Sequence, residues 1–142
     1  MLRIGFLPSD FHPMLLILGE AEDFRSLAAV LRRFAADRTP VALHALPGTV
    51  AAVALTLEPS AVAGLARRTA AEFAWRLDAA TASDFAGRAA ALAVSSLRAG
   101  ADFLTCGGAD EIPVKLSRGE YTDDFLLPPC PPDPVGAEPP SE

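Results

Sequence analysis

Ala71-Glu72-Phe73-Ala74-Trp75-Arg76-Leu77-Asp78, followed by Thr81-Ala82-Ser83-Asp84-Phe85 and an alanine-rich run to Ala93, is where the pattern of the chain is clearest. Ala71, Phe73, Trp75 and Leu77 alternate with Glu72, Ala74, Arg76 and Asp78. A period of two with aromatic residues on one side predicts a strand with one face in a core. The period then changes. Phe85, Ala89, Leu92 and Ala93 recur at helical spacing, and Thr81 with Asp84 three residues on resembles a capping box. A helix is therefore predicted to start near Thr81 and to close by Gly100.

The same succession appears upstream. Leu2, Ile4 and Phe6 alternate weakly, and Leu15 to Leu18 is a compact apolar run that reads as a buried strand. Glu20, Glu22 and Asp23 then set three acids where a helix dipole is positive. Phe24, Leu27, Ala28, Leu31 and Phe34 form a helical stripe, with Pro40 just past its end. Two strands are predicted next, over Val41, Leu43 and Ala45 and over Val53, Leu55 and Leu57, divided by Pro47-Gly48. Residues 58–68 read as a loop or a helical turn. Beyond the second helix, Phe103 to Cys106 and Ile112, Val114 and Leu116 read as strands joined by a turn at Gly107-Gly108.

Both halves thus read strand, helix, strand, strand. A shift of 61 residues lays Asp23-Phe24 on Asp84-Phe85, Leu31 on Leu92, Leu43 on Leu104, and Val53 and Leu55 on Val114 and Leu116. The expected fold is α+β: a mainly antiparallel five- or six-stranded sheet with two helices on one face. A duplicated strand–helix–strand–strand unit and a plain sandwich without a repeat are the two alternatives. Residues 1–127 are expected to form one domain. Residues 128–142 hold seven prolines and almost nothing apolar, which predicts a disordered, proline-rich, acidic tail.

Charge sharpens this division. Met1 to Arg118 carries twelve acids and twelve bases, whereas Gly119 to Glu142 carries six acids and no Lys or Arg. A neutral domain with an acidic end presents no field for a phosphate backbone, so nucleic acid is not an expected partner. No apolar run approaches the roughly 20 residues that span a bilayer, so no membrane is expected and the location is expected to be cytoplasmic. Eleven of the twelve bases are arginine in an alanine-rich chain, which suggests a GC-rich bacterial source.

The residues that carry chemistry are few. Cys106 and Cys130 do not make a disulfide framework, and His12 and His44 are the only histidines. The Gly107-Gly108 pair lacks the following helix that a phosphate loop needs. No catalytic, metal or cofactor motif is predicted. Two surfaces remain. On the sheet face away from the helices, His44, Ala54, Glu72, Arg76 and Cys106 are candidates for a ligand or interface site. Ala52, Ala54, Thr56 and Ala74 there are small where a solvent-facing strand is ordinarily polar. Before the tail, Glu120, Tyr121, Asp123, Asp124 and Phe125 mix acids with aromatic residues as a partner-binding segment does. The leading expectation is a small, non-enzymatic bacterial interaction or accessory protein. An immunity-like protein capping a basic partner would belong to this class, and a homodimer through the open face is expected. The alternative is a small-molecule-binding protein or enzyme with a pocket near His44, Arg76 and Cys106.

Overall fold

The structure, a computed structural model, describes residues 1–8, 13–94, 100–106 and 111–118. In chain order its elements are β1 (Leu2–Leu7), β2 (Met14–Gly19), α1 (Ala21–Asp37), β3 (Val41–Ala42), β4 (Thr49–Ala51), β5 (Ala54–Pro59), β6 (Gly64–Thr69), β7 (Glu72–Leu77), α2 (Ala79–Val94), β8 (Gly100–Leu104) and β9 (Val114–Arg118). A 3-10 turn over Leu43–Ala45 follows β3. The class is α+β, with two helices packed on one face. The strands, however, divide between two mixed sheets, ordered β4-β1-β2-β9-β8 and β3-β5-β7-β6, instead of forming one mainly antiparallel sheet.

The reason lies in the pairing. β1–β2 and β6–β7 are local antiparallel hairpins; β4 of the first half pairs in parallel with β1, but the other strands that follow each hairpin cross to the opposite sheet. β2 pairs in parallel with β9, Leu15 opposite Val114 and Ile17 opposite Leu116. β5 pairs in parallel with β7, Leu55 opposite Phe73 and Leu57 opposite Trp75. Apart from β4, which stays beside β1 of its own half, each sheet is thus the hairpin of one half completed by the closing strands of the other. The repeated unit is hairpin, helix, strand, strand. Leu15 corresponds to Phe73 and Ile17 to Trp75, a shift of 58, while Leu55 corresponds to Val114, a shift of 59.

Helix burial fixes the same offset. The buried residues of α1 are Phe24, Leu27, Ala28, Leu31 and Phe34. Shifted by 58, they fall on Ala82, Phe85, Ala86, Ala89 and Leu92, all buried in α2. The shift of 61 holds only where β3 matches β8, with Val41 opposite Leu57 and Asp102 opposite Leu116. For the helices it would set Leu27 on the exposed Arg88.

Core-facing residues of both sheets and both helix stripes share one cluster. Trp75 is fully buried and stacks on Phe85 with ring centroids 5.7 Å apart. Leu43, Leu55, Phe73, Leu77, Val114 and Leu116 are buried as expected, and Val41, Val53 and Ile112 pack against them partly buried. Phe103 is a correction: it is 48 % exposed, with the Lys115 ammonium 5.4 Å from its ring centre, while Leu104 is fully buried. The strand begins at Gly100, and a one-residue change of phase reverses every side chain.

The helix ends are set by close contacts. The Asp23 carboxylate accepts the Glu20 N–H at 2.7 Å and closes the first turn of α1. Gly19 stands directly over it: a Cβ at position 19 would lie 2.7 Å from the Asp23 Cβ. At the other end Arg38 adopts the left-handed conformation, φ 57°, and its guanidinium donates to the Leu77 carbonyl at 2.9 Å. α2 starts two residues earlier than the Thr81–Asp84 pattern predicts, because the Asp78 carboxylate accepts the Thr81 N–H at 3.2 Å and does the capping.

Candidate functional site

The outer face of the four-stranded sheet, away from the helices, is the most distinctive surface. Ala42, Thr56, Ala74 and Ala66 are register partners across all four strands and form its floor. Their neighbours along the strands, Leu57, Trp75 and Leu65, point into the core. Ala74 is fully buried, and the other three are half-buried. The rim is charged. Glu58 pairs with Arg68 and lies 3.8 Å from the Arg76 guanidinium. Glu72, opposite Ala54, completes the rim on the other side. Two acids and two bases around a flat floor of small side chains make the face both neutral and self-complementary.

His44 serves the architecture. Its Nδ1 lies 3.0 Å from the Leu55 backbone nitrogen and 3.1 Å from the Leu55 carbonyl oxygen. In the second half the matching position, Val114, pairs with the backbone of Leu104. β3 is only two residues long, so the imidazole takes the place of the missing backbone partner of Leu55.

The five residues singled out from the sequence do not form one pocket. His44, Ala54 and Glu72 line one open depression of about 560 Å³. Arg76 borders a separate one of about 220 Å³ with Glu111 and Val62. Cys106 borders a third, of about 530 Å³, beside Asp84 and Phe85. The Cys106 N–H donates to both Glu111 carboxylate oxygens, at 2.7 and 2.6 Å. Burial, reinforced by the negative charge of Glu111, pushes the Cys106 thiol from 9.0 to about 12. It is therefore a thiol and not a nucleophilic thiolate at neutral pH. A further cleft of about 450 Å³, between α1 and the loop before β4, is lined mainly by Leu2, Leu27, Val30, Leu46 and Pro47. Asp23 at its mouth is bound to the Met1 ammonium at 2.8 Å.

Glu120, Tyr121, Asp123, Asp124 and Phe125 lie outside the described residues, as do Cys130, His12, the Gly107-Gly108 turn and the proline-rich tail. Among the described residues, no three His, Cys, Asp or Glu side chains gather as metal ligands would, and no helix is long and apolar enough to cross a membrane. Sequence reasoning missed Glu58, Arg68 and Glu111. Glu58 carried a signal, since it continues the Ala54, Thr56 phase of β5. Arg68 carried none, because residues 58–68 show no period. Compared with family models, curated proteins and solved structures, the chain matches none. The class of protein defined here is therefore a structural one: a two-sheet α+β domain built from two hairpin–helix–strand–strand units that exchange their closing strands.

Proposed function

We propose that this chain is a non-catalytic interaction protein whose working surface is the outer face of the four-stranded sheet, and that its first occupant is a second copy of the chain. One observation carries the reading: the face combines a floor of Ala42, Thr56, Ala66 and Ala74 with a rim of Glu58, Glu72, Arg68 and Arg76. A two-fold axis through such a face can set acids of one copy against bases of the other, and two-fold pairing is the commonest closed solution. The chemistry-bearing side chains support the same reading. His44 is held against the Leu55 backbone, and Cys106 is held protonated.

Light scattering at micromolar concentration tests it. The wild-type chain is expected to run as a dimer. Ala54→Glu sets a carboxylate directly opposite Glu72, within the rim, and is expected to give a folded monomer. A wild-type monomer at every accessible concentration would overturn the proposal. The small-molecule reading keeps one specific support, the shared depression of His44, Ala54 and Glu72. A thermal shift by a metabolite, lost in Glu72→Ala, would favour it over the interaction reading.

A further inference from the structure

Most bases among the described residues are engaged. Arg38 and Arg118 donate to backbone carbonyls, Arg67 lies over the Phe6 ring, Arg68 and Arg76 meet Glu58, and Arg88 meets Asp84 and Asp102. Arg3 and Lys115 have partners as well. Among the described bases only Arg25, Arg32 and Arg33 make no hydrogen bond, ion pair or ring contact, and all three are exposed on α1. Arg32 and Arg33 stand seven and eight residues beyond Arg25, which sets the three on one side of the helix within about 12 Å of its length. Ala29, between them on the same side, is exposed and keeps the surface low. Because the helices pack away from the outer face of the four-stranded sheet, self-association through that face leaves this stripe open.

The repeat shows that the fold does not call for these arginines. The shift of 58 that matches the buried stripes of the two helices lays Arg25, Arg32 and Arg33 on Ser83, Ala90 and Ala91. The second half therefore builds the same helix with small, uncharged residues at all three places. We propose that the arginine stripe of α1 is a docking site for a short acidic segment of a partner protein, whose carboxylates pair with the three guanidiniums. Arginine suits this task, since its planar fork can grip a carboxylate through two parallel hydrogen bonds. The span suits it too. An extended peptide rises about 3.3 Å per residue, so acids three or four residues apart reach from Arg25 to Arg32 or Arg33. The ends of the stripe set its length. Glu22 and Asp37 are exposed just before and just after it, and neither pairs with an arginine. A continuous phosphate backbone laid along α1 would meet both carboxylates, whereas a short acidic segment fits between them. A domain with as many acids as bases adds no wider field for a nucleic acid.

The stripe is independent of self-association, and a labelled octaglutamate peptide titrated into the full-length chain at low ionic strength separates the two. Fluorescence anisotropy is expected to show saturable binding, equal in wild type and Ala54→Glu and lost at high salt. Amide chemical shifts are expected to move only along the exposed side of α1, residues 22–36. The combined variant Arg25→Ser, Arg32→Ala, Arg33→Ala carries the residues that α2 has at these places, so it is expected to melt within about two degrees of wild type. Its affinity for octaglutamate is expected to fall about tenfold or more, the loss of three exposed ion pairs. Unchanged affinity in that variant would overturn the proposal, as would shift changes centred outside α1 or no binding at low ionic strength. An octathymidylate that binds as tightly as octaglutamate would overturn it as well, by making the stripe a phosphate site. The shift map on the wild-type chain decides the matter without any variant.

Discussion

Replacing Trp75 tests the core assignment in a way that separates size from polarity. Trp75 is fully buried, stacked on Phe85, and flanked across the sheet by Leu57 and Leu65. Its indole Nε1 is buried and has no hydrogen-bond partner among the described residues. Trp75→Ala removes the largest core side chain and should cost about 3–5 kcal/mol. Against a total stability of roughly 5–15 kcal/mol, that should lower the melting temperature by about 10 °C or more. Trp75→Phe loses less surface and also deletes a donor whose burial costs about 1–3 kcal/mol when unsatisfied. The two effects oppose each other, so Trp75→Phe should stay within about 1.5 kcal/mol of wild type. Urea titration followed by far-ultraviolet circular dichroism suits both variants, since each lacks the only tryptophan. Near-wild-type stability of Trp75→Ala would mean that β7 turns its other face to the core. A Phe variant as damaged as the Ala variant would mean that the indole N–H is bonded.

Three further expectations follow from local geometry. Gly19→Ala drives a Cβ into Asp23 and should cost about 1–3 kcal/mol by overpacking, measured by the same titration, whereas Gly48→Ala meets no atom and strains only its own φ. The Asp78 carboxyl is held below its usual value of 3.8, chiefly by its hydrogen bond with the Thr81 side chain. A depressed carboxylate contributes stability that is full above its unfolded pKa and lost as pH falls through the folded one. The melting gap between wild type and Asp78→Ala should therefore be constant near neutrality and close below pH 3.8, and a gap unchanged there would show that the charge is not involved. Cys106 in a Cys130→Ser background should alkylate about a hundredfold or more slowly at pH 8 than a free thiol. Because its folded pKa is raised, stability should begin to fall only as pH rises above 9, and rapid labelling of the folded protein would refute the protonated thiol.

The helices were legible because burial there follows a local period: all five α1 stripe residues are buried, and so are Phe85, Ala89, Leu92 and Ala93. The core face of β7 was legible for the same reason. The division into two sheets was not, because alternation says which face a strand buries and nothing about its neighbour. The parallel β2–β9 pairing joins residues about a hundred positions apart. The repeat was visible at the wrong offset, since the connections differ in length: β3 gives way to a 3-10 turn and β4 where the second half runs through β8. Of the site, Ala54, Glu72 and Arg76 were placed on the correct face by phase alone. Cys106 was not, because it follows β8 in the other sheet.

The most direct test of the central claim is carboxyl footprinting of Glu58 and Glu72 as a function of protein concentration. Self-association through the outer face of the four-stranded sheet predicts that both carboxylates become protected as the concentration rises and regain full reactivity on dilution, while Ala54→Glu leaves Glu58 reactive throughout. Equal labelling of Glu58 and Glu72 at all concentrations, in a chain that scatters as a dimer, would place the contact elsewhere and contradict the account.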